Sequence, residues 1–318
     1  MKGVALMSRV AVTGCASRFA QVFLPLLEAD KEVTEIVGID LAPPAGEYTK
    51  LVFHRLDIRD AGMKEIMAGC DTLVHLAFVV GRPSSMPLYE AASINLGGTW
   101  NVCRAAAETG VHKLVVSSSI AAYGSLPDNP SVLFEDSPLR GLYTNFYYSQ
   151  HKHANEIWLD GLQLAFPQLL IARLRPCIVM GPHQSAAVSM IHPNKSYFTS
   201  PEAHQSQLQF VHEDDLAAAF HAMMQHDLPG AYNVVGDEPD SMPHIAAAAG
   251  LNVIEIPHEM IVQSVTSSWQ KGETVFGPEW VGGEGSLICS NEKLKAMGVW
   301  KPRYTTAEAY AATVAALA

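Results

Sequence analysis

Arg9-Val10-Ala11-Val12-Thr13-Gly14-Cys15-Ala16-Ser17-Arg18-Phe19-Ala20 is the stretch whose reading decides the fold. Its first five residues have the length and apolar character of a short buried strand. Gly14 then marks a tight turn, and Arg18–Ala29 reads as a helix that Pro25 should kink or shift in register. A strand, a glycine turn and a helix in that order aim backbone N–H groups and the positive helix end at a pyrophosphate. The same stretch also describes an ordinary strand-to-helix turn, so the rest of the chain must arbitrate.

Working outward, apolar runs alternate with helical stretches. Ile36–Asp40 is a second strand, followed by strands near Val52–Arg55, at Thr72–Leu76, at Lys113–Ser117 and at Gln168–Arg173. Long helices are expected over Leu88–Thr109 and Asn145–Phe166. Continuous apolar strands separated by helices predict an α/β chain with a Rossmann-type, doubly wound parallel sheet covered on both faces. After Arg175 the rhythm breaks, and residues 177–208 read as loop. Phe210–His212 then leads into a helix, Tyr232–Val235 is another short strand, and a last helix starts near Thr306. The expected organisation is a dinucleotide-binding domain over 1–176 with returning segments at about 209–236. Residues 177–208 and 237–318 would form mainly a small C-terminal substrate-binding lobe.

Bulk properties narrow the function. The chain has 318 residues, is 48% hydrophobic and 17% charged, as expected of an ordinary folded protein. A net charge of -11 argues against nucleic-acid and anionic-membrane partners, which reward basic patches. There is no apolar run of membrane-spanning length and no signal-peptide pattern, so a cytoplasmic location is expected. Cys15, Cys70, Cys103, Cys177 and Cys289 are scattered and read as small core residues in a reducing compartment. The thirteen histidines show no metal-ligand spacing, so no metal site is expected.

Asp40 ends the second strand. An acid there accepts hydrogen bonds from the adenosine ribose and repels a 2′-phosphate; no arginine follows in Leu41-Ala42-Pro43-Pro44, which favours NAD over NADP. Asp57 and Ile58, after the third strand, stand where they would bracket the adenine. Tyr148 and Lys152 lie four residues apart and share one helix face. A lysine ammonium there favours the phenolate, lowering the tyrosine pKa for proton transfer near neutral pH. Tyr147 is a decoy, since His151 occupies the place of its lysine.

Taken in order, these pieces resemble an extended short-chain dehydrogenase/reductase of the NAD-dependent epimerase/dehydratase group. They are Thr13-Gly14, Asp40, Asp57, His75-Leu76-Ala77, Asn95, Ser117-Ser118-Ser119 with Tyr123-Gly124, and Tyr148-x-x-x-Lys152. They continue with Leu174-Arg175-Pro176, Gly181-Pro182, Phe210-Val211-His212-x-Asp214-Asp215, Tyr232-Asn233-Val234 and a tail from Asn291 through Trp300 to Pro302. The resemblance implies a catalytic Ser119, Tyr148 and Lys152. It implies cofactor contacts from Gly14, Ser17, Arg18, Phe19, Asp40, Asp57, Ile58, Leu76, Ala77, Asn95, Tyr148 and Lys152. Asn95 is expected to order a bend or a water between the fourth strand and its helix. The glycine loop departs from the family's Thr-Gly-x-x-Gly-x-x-Gly, with Ser17 and Ala20 at the second and third glycines. Ser17 would either donate to phosphate or block its approach, and Arg18 either pairs with the pyrophosphate or is solvated.

The substrate half is poor in cations. Lys195 is the one cation between Gly181 and Phe210, Gln207-Leu208-Gln209 carries none, and Lys271 is remote. A nucleotide diphosphate rewards arginine and lysine. The expectation is therefore an NAD-dependent oxidoreductase acting on a CH–OH or carbonyl group of a small sugar-like or hydroxy-carbonyl substrate. The alternatives are a nucleotide-sugar epimerase or dehydratase with retained NAD, and a non-catalytic dinucleotide-binding member. Tyr123, His183, His192, Trp269 and Phe276 either shape the pocket or pack. A homodimer through the two long helices is plausible, with Ala91, Ala92, Ala105, Ala106 and Ala107 facing either the partner or the sheet.

Overall fold

The computed structural model describes residues 8–184, 191–192, 196–281 and 285–317. Lys195 and the His192 side chain lie outside the described residues. The chain begins β1 (Ser8–Thr13), α1 (Ala20–Ala29), β2 (Val33–Asp40), β3 (Leu51–Arg55), α2 (Met63–Met67) and β4 (Thr72–His75). It continues α3 (Leu88–Ala92), α4 (Thr99–Glu108), β5 (Lys113–Ser117), α5 (Tyr147–Ala165) and β6 (Leu170–Pro176). Then come β7 (Ile178–Met180), β8 (Ile191–His192), β9 (Ser196–Thr199), β10 (Gln207–Leu208), β11 (Phe210–His212), α6 (Glu213–Gln225) and β12 (Gly230–Val234). The last elements are β13 (Asp240–Ser241), α7 (Met242–Ala248), β14 (Asn252–Glu255), α8 (His258–Gln270), α9 (Glu292–Ala296) and α10 (Thr306–Ala315).

Seven strands form one parallel sheet in the order β12-β6-β5-β4-β1-β2-β3. Its strands read as apolar runs because both faces are covered. On one face, Phe23, Leu24 and Leu27 of α1 meet Phe220 and Met223 of α6. On the other, Met63, Met67, Val102, Cys103 and Leu159 pack from α2, α4 and α5. Each fully buried side chain of this size contributes roughly 1.5–3 kcal/mol. All five cysteines are buried and free. A third cluster joins Met180 and Phe210 to Met242, Ile245 and Tyr310.

Two expectations shift. Helix α1 starts at Ala20, because the turn consumes Arg18 and Phe19; it then runs through Pro25, which sits on the exposed side. The helix expected over Leu88–Thr109 is two helices joined by a wider π turn at Ser93–Gly98. That insertion accompanies a fully buried Asn95, whose polar side chain is spent on a neighbouring loop. Ala91, Ala105, Ala106 and Ala107 are buried within the chain, so they serve the fold's own interior.

Strand order reverses between β1 and β4, and a doubly wound sheet opens its ligand crevice at the carboxyl ends of such strands. Gly14, Ser117, Asp40 and the loop after β4 all lie at those ends.

Candidate active site

The crevice is built around Gly14. Its φ is +75°, and a Cβ there would lie 2.6 Å from the Ala77 backbone nitrogen and 2.9 Å from the Leu76 carbonyl carbon. Only glycine lets the turn after β1 approach the end of β4 this closely. The Leu76 amide donates to the Thr13 carbonyl at 3.1 Å, so the two strand ends are joined. His75 locks the same junction from inside: Thr13 Oγ1 is 2.6 Å from its Nδ1 and Thr99 Oγ1 is 2.9 Å from its Nε2. Burial, aided by the Lys152 charge, pushes the His75 pKa down to about 3, so the ring stays neutral.

Asp40 reaches back into the glycine loop. One carboxylate oxygen accepts from the Ala16 amide at 2.9 Å and the other from the Leu41 amide at 2.6 Å. Ser17 Oγ accepts from the Ala20 amide at 3.2 Å, so the hydroxyl caps the first helical residue. Arg18 is exposed. The Phe19 ring is turned into an aromatic group with Phe23 and Phe220, at 6.0 and 5.3 Å between centroids, on the α1–α6 side. Asp57 is paired with Arg59 at 2.7 Å, and Ile58 is buried against Gly98. Asn95 clamps the loop after β4: Val79 N donates to its Oδ1 at 2.7 Å and its Nδ2 donates to Val79 O at 3.0 Å. Asn95 thus orders a backbone bend, as its position in the sequence suggests.

Ser119, Tyr148 and Lys152 come together. Ser119 follows β5, where its Oγ accepts from the Ala121 amide at 3.1 Å and donates to the Pro176 carbonyl at 3.4 Å, close enough to Tyr148 to act on its pKa. Lys152, one turn along α5 from Tyr148, is 3% exposed. Its Nζ donates to the Ser117 carbonyl at 2.8 Å and lies 3.6 Å from the centre of the Phe78 ring. Burial pushes its pKa down to about 7, against an upward pull from Glu156. The expected depression of the tyrosine is not found. Burial raises the Tyr148 pKa, and the Ser119 hydrogen bond offsets only part of this. Lys152 does not reverse that balance because its ammonium is turned to Ser117 and Phe78, 5.6 Å from the centre of the Tyr148 ring.

Beneath this group lies a buried polar network. Glu156 accepts from Ser118 Oγ at 2.5 Å, from Arg175 Nε and Nη2 at 2.8 and 3.0 Å, and from Arg173 Nη1 at 3.0 Å. Arg175 also donates to the Tyr123 hydroxyl, which donates to Asn233 Oδ1. Tyr123 is therefore a packing residue, fully buried. His183 likewise serves structure, with Nδ1 2.7 Å from Glu213. The Tyr147 hydroxyl donates to the Val80 carbonyl at 2.6 Å and plays no part in the Ser119 contact.

Over Tyr148 stands a wall not foreseen in the sequence. Trp280 lies 5.3 Å from Tyr148 between ring centroids, 4.8 Å from Phe146 and 5.0 Å from Phe276. Phe78 meets Tyr148 edge-on at 5.6 Å. Of this group, only Phe276 was a candidate from sequence. The others sit on irregular segments with no spacing that would mark them. Among the described residues, no cluster of three histidine, cysteine or acidic side chains stands close enough to hold a metal ion, and no helix is long and apolar enough to cross a membrane.

A doubly wound parallel sheet with a glycine turn at its switch point and an acid ending β2 defines a Rossmann-type protein of the dehydrogenase kind. More closely, the chain belongs to the NAD dependent epimerase/dehydratase family, whose model matches residues 10–235. Among curated relatives, an uncharacterized protein of Sinorhizobium fredii, y4nG, is 25% identical over 93% of this chain and 75% of its own length. UDP-glucose 4-epimerase 2 of rice (Oryza sativa subsp. japonica) is 32% identical, over 48% of this chain and 37% of that protein. The fold matches that of UDP-glucose 4-epimerase from Thermus thermophilus, solved in complex with NAD. The TM-score is 0.74 at 24% identity, covering 97% of this chain and 98% of that one.

Proposed function

We propose that this protein is an NAD-dependent oxidoreductase that interconverts a CH–OH and a carbonyl group on a small sugar-like or hydroxy-carbonyl substrate. The observation that carries this reading is the meeting of Ser119, Tyr148 and the buried ammonium of Lys152, 5.6 Å from the Tyr148 ring centre, at the carboxyl end of β5. The chain's residues suit the cofactor. Gly14 lets the turn after β1 pack directly on the end of β4, which would present the loop's backbone N–H groups to a pyrophosphate at the crevice. Asp40 would turn from the Ala16 amide to ribose hydroxyls and disfavour a 2′-phosphate. Lys152 would hold the nicotinamide ribose. In this proposal residues 1–176 with about 209–236 carry the cofactor, while 177–208 and 237–318 carry the substrate.

NAD held there would supply the acceptor for the hydride of the alcohol carbon. Tyr148 takes the hydroxyl proton in the same step, and Ser119 donates to the oxygen as charge develops on it. In the reverse direction Tyr148 returns that proton. A phenol whose pKa burial has raised stays protonated but gives up its proton reluctantly, so transfer in either direction calls for an ammonium turned toward it.

Ser17 is compatible with this reading because its hydroxyl turns back onto Ala20, although one helix amide is thereby already engaged. The rice relative supports a second reading, a nucleotide-sugar epimerase that keeps its NAD. Net formation of NADH from NAD and substrate separates the two, since an epimerase shows none. Tyr148→Phe should lower turnover by about 10²–10⁴-fold with NADH affinity nearly unchanged. Unchanged turnover would sink the catalytic assignment.

A further inference from the structure

Resting on that reading of Tyr148, we infer that Arg82, Glu279 and Trp280 form the wall that reads the hydroxyls of a free polyhydroxylated substrate, a sugar or polyol without a nucleotide. Two features of the wall call for a ligand. Phe78, Phe146 and Trp280 pack around the Tyr148 ring, with Phe276 behind Trp280, as one apolar surface. Set into that surface, Glu279 Oε1 and Arg82 Nε are buried with no hydrogen-bond partner among the described residues. Buried acceptors and donors left unpaired are rare and costly, and each asks for an explanation.

The two groups are neighbours of the reacting residue. The charges of Glu279 and Arg82 both bear on the hydroxyl of Tyr147, one residue before Tyr148, yet neither Glu279 Oε1 nor Arg82 Nε is satisfied by the other. Trp280 Nε1 points at the same hydroxyl without closing a well-formed hydrogen bond.

The wall is built rather than loose. Trp269 Nε1 donates to the Arg82 carbonyl at 2.7 Å, and the Arg82 guanidinium lies 4.9 Å from the Trp269 ring centre. Arg82 Nη1 donates to the Met86 carbonyl at 2.5 Å. The loop after β4 and the segment 275–280 are in intimate contact: a Cβ on Gly81 would lie 2.5 Å from Val275 Cγ2.

The chemistry selects the ligand. A sugar offers C–H faces that pack on aromatic rings and hydroxyls that need directed partners. A carboxylate accepts from two hydroxyls, and a guanidinium N–H donates to a hydroxyl oxygen. A diphosphate would instead meet the charge of Glu279. Several other cations of the second half are already committed: Arg303 to Asp215, Lys295 to Asp237 and Lys293 to the Ala231 carbonyl.

Binding tests this in the NADH-loaded Tyr148→Phe protein, which reports affinity without chemistry. The probes are a panel of four- to six-carbon free sugars and alditols, together with UDP-glucose, followed by calorimetry and tryptophan fluorescence. At least one free sugar or alditol should bind more tightly than UDP-glucose. Adding Glu279→Ala, the isosteric Glu279→Gln or Arg82→Ala should weaken that ligand about tenfold or more, with NADH affinity unchanged. The inference is overturned if no member of the panel binds, if UDP-glucose binds more tightly, or if the Glu279 variants bind the ligand as well as the parent. Failure of the oxidoreductase reading shows elsewhere, as turnover that survives Tyr148→Phe alone, and leaves this binding result standing.

Discussion

Two carboxylates, one on the Tyr148 helix and one in the wall beside it, live in opposite circumstances. Glu156 is 1% exposed and accepts four hydrogen bonds, from one serine and two arginines. Glu279, on the aromatic side, has a buried oxygen with no partner among the described residues. The first is complete, and its partners sit on β6 and at the end of β5, so it holds the strand-end serines against α5. The second is incomplete, in the wall beside Trp280 that is proposed to hold substrate. The difference separates a polar group that maintains the fold from one kept for something outside it.

The largest effect expected from breaking this comparison is at Glu156. Glu156→Ala leaves Arg175 buried without its counter-charge, while Arg173 keeps Asp160, and should cost about 3–5 kcal/mol in denaturant unfolding. A loss below about 1 kcal/mol would mean that the network is ornamental. The acid limb sharpens the point. Burial pushes the Glu156 carboxyl up, but the Arg175 hydrogen bond and the charges of Arg175 and Arg173 prevail and hold it below its ordinary value. Its contribution is therefore present above the ordinary carboxylate range and is lost as pH falls through its depressed folded pKa. Wild-type protein should lose stability across that acid range more steeply than Glu156→Gln does.

An intermediate effect is expected at Lys152, which is held at about 7 by burial against an ordinary value of 10.5. Between those values the unfolded chain binds more protons, so this group makes stability rise with pH. Below about 7 both states are protonated, and the burial penalty is constant. Lys152→Met should flatten the rise between pH 7 and 10.5 in urea-unfolding series; an identical slope in both proteins would place the ammonium in contact with solvent. The smallest effect belongs to Glu279. Its removal by Glu279→Ala should change stability by no more than about 0.5 kcal/mol or increase it, because no partner is stranded. A loss comparable to that of Glu156→Ala would erase the contrast.

Much of the molecule was legible in the chain. The strand of Arg9–Thr13, Gly14, the acid at Asp40 and the pair Tyr148 and Lys152 are local signals, set by strand length, turn conformation and helical spacing. The order of those signals sufficed for the parallel sheet. Details that depend on neighbours were less legible. Phe19 lies beside the glycine turn but packs with Phe220, about two hundred residues away, because the apolar side of α1 faces α6. The direction of the Tyr148 pKa also escaped the i, i+4 argument, since spacing places Lys152 on the same face but does not say where its ammonium points.

The sequence by itself determined the doubly wound sheet, the glycine turn at its switch point and the shared helix face of Tyr148 and Lys152, because periodicity and short spacing act within single elements; Ser119 entered only through the family resemblance. Tertiary structure alone decided the wall over Tyr148. Arg82, Phe146 and Glu279 stand on three irregular segments, and only the packing of residues 275–280 against the loop after β4 and the start of α5 brings them together. Whether a buried polar atom finds a partner depends on groups distant in the chain, so Glu156 and Glu279 look alike in sequence and differ in the fold.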